Sequence, residues 1–160
     1  MKFRLMSLAA VLGIALVLGA CASAPSGGVI MENGVQHVTV VNGPGEDEFK
    51  FLPASLTLDA GKVQITYDNK GDILHELMLF DASDPAKLQE FIDAHANEEA
   101  SGMMAEDMVP GVMVIPELED VSPGTSQTTE VFELPAGNYL IAGLKQGHYE
   151  AGMKAKLLVE

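Results

Sequence analysis

Two side chains near the C-terminus are spaced for chemistry. In NYLIAGLKQGHYEAGM, Met153 follows His148 by five residues, and Gly143 precedes it by the same interval. Imidazole nitrogen suits copper in either oxidation state, and a thioether is a soft donor that favours Cu(I). A loop of this length can curl both ends toward one point, and Gly147 and Gly152 let it turn without a Cβ clash. The same residues also have a plain reading. His148 would be hydrogen-bonded to loop backbone, and Met153 would plug the core where the last strand begins. Both readings stand at this point.

The elements that must position such a loop are mostly strands. VQHVTVVN, DEFKFLPASLTL, KVQITYDN, ILHELMLF, QTTEVFEL, GNYLIAGL and MKAKLLVE are β-branched or alternating runs bounded by Gly, Pro, Asn or Asp. DAGK and DNKGD between them read as turns. About seven short strands separated by turns predict a β-sandwich. One stretch breaks the pattern. SDPAKLQEFIDAHANEEA offers Ser83 or Asp84 as N-cap, Pro85 at the first helical position, and Leu88, Phe91, Ile92 and His95 at helical spacing. It predicts one helix of about three turns. SGMMAEDMVPGVMVIPELEDVSPG follows as an aperiodic connection. Its Met103, Met104, Met108 and Met113 read as gap-fillers in a loop, with a thioether Cu(I) site as the sharper alternative. His37 and His95 read as ordinary strand-face and helix-face residues. The carboxylates of NEEASGMMAED and PELED read as solvated surface.

FKFLPASLTLDAGKVQITYDNKGDILHELMLF and LPAGNYLIAGLKQGHYEAGMKAKLLV together resemble the cupredoxins, the small copper-binding β-sandwiches, over roughly Phe49–Phe80 and Leu134–Val159. The resemblance implies an all-β Greek-key sandwich with one inserted α-helix. It implies a mononuclear centre at one end, with His75 from ILHEL, His148 and Met153 as ligands. It also assigns the family's cysteine ligand to Gly143, which has no side chain to offer. The thiolate of a blue copper centre is then absent. A His/His/Met set remains, with Glu76 or Glu150 as a nearby carboxylate for an open position.

The N-terminus, MKFRLMSLAAVLGIALVLGAC, has Lys2 and Arg4, an apolar run and small residues before Cys21. This is an export-signal pattern, too short for a comfortable span. Its LGAC ending resembles the bacterial lipobox. That implies a signal over residues 1–20, lipid on Cys21 and a membrane anchor facing the periplasm or exterior. Residues 21–34, rich in Ser, Gly and Pro, read as a flexible tether, and 35–160 as the folded domain. Cys21 is the single cysteine, so with lipid on it no thiol remains for a disulfide or a Cys-based metal site. Loss of Lys2 and Arg4 takes the net charge from −14 to −16. Such a surface disfavours nucleic acid and suits a cation or a basic protein partner.

No enzyme signature emerges. HELML has Leu79 where a zinc-protease helix needs its second histidine, and GPGEDE lacks the third glycine of a dinucleotide loop. The expectation is a non-enzymatic envelope lipoprotein that binds copper for delivery, buffering or sensing. A metal-free accessory or interaction module is the alternative, and thiolate-free electron transfer is a third.

Overall fold

The computed structural model describes residues 27–160, with 114–117 as backbone alone. The expected signal and Cys21 lie outside the described residues. Two five-stranded sheets form a cupredoxin-like sandwich. One runs β1 (Gly28–Glu32), β2 (Val35–Asn42), β4 (Gly61–Asn69) and β7 (Thr125–Thr128), with β8 (Phe132–Leu134) also paired to β4. The other runs β3 (Ser55–Leu58), β10 (Lys154–Val159), β9 (Gly137–Ala142), β5 (His75–Asp81) and β6 (Met113–Val121).

Alternation explains the inner layer. On β4, Val63, Ile65 and Tyr67 are fully buried while Lys62 is exposed; on β10, Ala155, Leu157 and Val159 face in and Lys154, Lys156 and Leu158 face out. These meet Val38, Val40, Phe51, Leu77, Leu79 and Ile141 in one core. Each such side chain contributes about 1.5–3 kcal/mol by leaving water.

β5 differs, because its residues His75–Phe80 are all buried. Leu77 and Leu79 join the inter-sheet core, whereas Met78 and Phe80 face a second cluster. That cluster is completed by α1 (Pro85–His95), which follows β5 in sequence and packs Leu88, Phe91 and Ile92 inward. Both faces of β5 are therefore covered, which is why HELMLF reads as a nearly continuous apolar run. The helix starts as expected: Asp84 caps it by accepting from the N–H groups of Ala86 and Lys87, and Pro85 takes the first position.

The structure departs from expectation in three places. β1 pairs antiparallel with β2 from Gly28 onward, so ordered chain overlaps the expected tether. The stretch expected as one helix breaks after α1 into a second, single-turn helix, α2 (Glu98–Ser101), and the aperiodic connection holds another, α3 (Ala105–Met108), and then all of β6. The chain from Gly45 to Pro53 is not a strand; it holds a 3-10 turn at Gly45–Asp47 and one bridge, Val41 to Leu52.

Candidate metal centre

His75 opens β5 and is completely buried; His148 opens α4 (His148–Ala151), a single helical turn between β9 and β10, and is 8% exposed. Residues 73 positions apart meet with their Nδ1 atoms 3.2 Å apart. The Phe49 ring packs edge-on against both imidazoles, with centroids 5.9 Å from His75 and 5.2 Å from His148.

The partner that fixes His75 is Glu48, on the chain between β2 and β3. Its Oε1 lies 2.8 Å from His75 Nε2. Both its oxygens accept from the Asp72 N–H, and Oε1 also takes the Ile73 N–H. Burial alone would raise the Glu48 pKa. The N–H groups and the His75 ring outweigh burial and hold it below the usual carboxylate value. An ionised carboxylate only accepts, so His75 Nε2 carries the hydrogen of that bond. Its other ring nitrogen, Nδ1, faces Nδ1 of His148. Gly71 makes room for this: a Cβ there would lie 2.3 Å from Glu48 Oε1 and 2.4 Å from Asn42 Nδ2.

Two backbone bonds close the loop after β9. Gly143 N–H donates to the Met153 carbonyl at 3.0 Å, and Met153 N–H donates to the His148 carbonyl at 3.0 Å. Met153 is fully buried in the inter-sheet core. Its Sδ lies 3.0 Å from where a Cβ on Gly143 would stand, and the Glu76 carbonyl lies 3.1 Å from that point. The methionine sulfur thus crowds the space beside Gly143 that a longer residue would use.

Glu76 has another task than filling an open metal position. Its Oε1 accepts the Leu144 N–H at 2.6 Å, and its Oε2 lies 3.7 Å from Lys145 Nζ, fastening the loop to β5. Glu150 is exposed. His37 is half-buried on β2, facing Ile30 in register. Sequence patterns gave no hint of Glu48, which sits in an acidic GEDE stretch where every carboxylate looks equally solvated.

The donor set fits a soft or borderline ion. Two nitrogens each about 2.0 Å from a tetrahedral ion stand about 3.3 Å apart, close to the 3.2 Å observed between the imidazoles. A carboxylate on the far nitrogen is the support that ligating histidines usually have. Among the described residues no three His, Cys, Asp or Glu side chains converge as a metal cluster.

No protein-family profile and no curated protein matches the chain. Solved structures do. Auracyanin B is similar at 25% identity over 87% of this chain and 99% of its own, with a TM-score of 0.62. Auracyanin A, a "blue" copper protein of Chloroflexus aurantiacus, is similar at 25% identity over 79% and 100%, with a TM-score of 0.59. An azurin of Methylomonas sp. strain J, at 19% identity over 78% and 97% and a TM-score of 0.54, shares the fold. Two sheets, a helical insertion after β5 and a loop that returns a histidine to the start of β5 make this chain a sandwich of cupredoxin-like fold.

Proposed function

We propose that the protein binds copper through His75, His148 and Met153, without a thiolate, and serves copper delivery, buffering or sensing in the cell envelope. One observation carries the reading: two buried imidazoles hold their Nδ1 atoms 3.2 Å apart, with the first ring anchored by a carboxylate. The likeness to auracyanin A, a "blue" copper protein, supports it. A copper ion there would meet two imidazole nitrogens and a thioether, a set that favours Cu(I). Lipid on Cys21 would tether the domain to a membrane.

The test is a titration of the protein with Cu(II), followed by EPR, and with Cu(I), by competition with a chromophoric chelator. One equivalent that depends on these histidines is expected, lost in His75→Ala and in His148→Ala, with no intense blue absorption. A reversible copper couple in a redox titration would add electron transfer to the role. A stoichiometry that neither substitution lowers, or no binding at all, defeats the proposal.

A second reading, a metal-free scaffold for a basic protein partner, is favoured by a different observation. Among the described residues no buried side-chain nitrogen or oxygen lacks a partner, so the imidazole pair is satisfied as it stands. That reading requires partner capture unchanged by His148→Ala.

A further inference from the structure

On the insertion side of β5 lies a second cavity, of about 220 Å³. Met78 of β5, Met104 just before α3, and Met113 at the start of β6 line it, together with His95, Glu98 and Glu119. In sequence these methionines look like gap-fillers and His95 like a helix-face residue. Two features go beyond packing. Met104 is 54% exposed, so its thioether plugs no core void. His95 is held in place: its Nδ1 lies 3.3 Å from Glu98 Oε1, and that same oxygen accepts the Ala105 N–H at 2.6 Å. One carboxylate oxygen therefore pins the backbone directly after Met104 and lies at ion-pair distance from the imidazole. Carboxylate support on one ring nitrogen leaves Nε2 as the donor, the arrangement expected of a ligating histidine.

We infer that this cavity is a second metal site, for a soft monovalent cation, Cu(I), held by the Met104 and Met113 thioethers and His95 Nε2, with nearly buried Met78 as its inner wall. Thioether and imidazole donors select Cu(I) over hard cations. With no thiolate in the set the ion stays exchangeable. The cavity shares His95, Glu98 and Glu119 with a larger cleft of about 620 Å³ that extends to Gly147, the residue before His148. Binding at this site does not rest on the copper reading above.

Ag(I), redox-silent and equally soft, is the probe. It is titrated into the full chain, with any free Cys21 thiol alkylated, while the methionine methyl resonances are followed. The Met104 and Met113 methyls are expected to shift together and saturate at one equivalent, and to do so in His148→Ala as well. The double variant Met104→Leu/Met113→Leu, close to volume-conserving, should lose that equivalent and keep the His148-dependent one. Unmoved Met104 and Met113 methyls, or full stoichiometry in the double variant, overturns the inference. So does a parallel shift of the exposed Met31 and Met103, which would show generic thioether contact. If only the His148-dependent equivalent is missing, the centre of the preceding proposal fails and this site stands.

Discussion

Glu48 lies outside the proposed His/His/Met set and supports it. It orients His75 and ties down the turn before β5. Glu48→Gln keeps the volume but removes the charge and forces the amide to choose among three donors. Copper affinity is expected to fall about 10–100-fold, as it does when outer-shell partners are removed, and chelator competition measures it. The pair also sets a pH response. Burial, then the neighbouring His75, hold the His148 pKa below its ordinary 6.5. The unfolded chain then binds more protons at His148 than the native one does. Stability should fall as pH drops below about 6.5, down to the native pKa. The depressed Glu48 adds a later loss: its contribution is present above about 4.5 and disappears as pH falls through its native value. Urea midpoints of the metal-free protein across the neutral-to-acid range should show both legs, and His148→Gln should flatten the first. The spacing of His148 and Met153 is legible in sequence because one short loop carries both. Glu48 is not, because it reaches His75 only through the tertiary turn at Gly71.

The loop and β5 form a single mechanical unit at the scale of elements. Gly143 sits where Met153 Sδ and the Glu76 carbonyl converge. Gly143→Ala should therefore cost about 1–3 kcal/mol through overpacking, read as a lowered urea midpoint. Gly143→Cys meets the same crowding and gains a thiolate donor. If Met153 yields, intense blue absorption should appear with copper. At the other end of β5, Asp84→Ala removes the cap of α1 and should cost about 1 kcal/mol, without altering copper binding at His148. The α1 boundary was legible because capping and proline chemistry are local. β6 was not: its pairing with β5 shifts register three times, so no period of two survives in its sequence. β1 was missed because, at a sheet edge, four of its five residues are exposed and carry no inside–outside pattern. DEFKF looked like a strand for its alternation, yet Phe49 and Phe51 serve different layers, one against the histidines and one in the core.

Among the described residues, two apolar clusters share β5 and β9 as a common wall. The inter-sheet core is bounded by ladders on both sides, the outer one by short helices and loops. Hydrogen exchange should find α1 amides opening at lower free energy than those of β4 and β9. Equal protection would mean that the two clusters unfold as one. The insertion between β5 and β6 also begins and ends at one place, because Asp81 N–H donates to the Val112 carbonyl at 2.8 Å. That closure makes residues 82–112 an exchangeable cassette. A different segment could be spliced onto the same two ends while leaving His75, Glu48 and the His148 loop untouched, provided it re-covers Met78, Phe80, Ala142 and Leu144. The sandwich could thus acquire new specificities by trading this cassette, as a handle accepts a different tool, without rebuilding the centre that it carries.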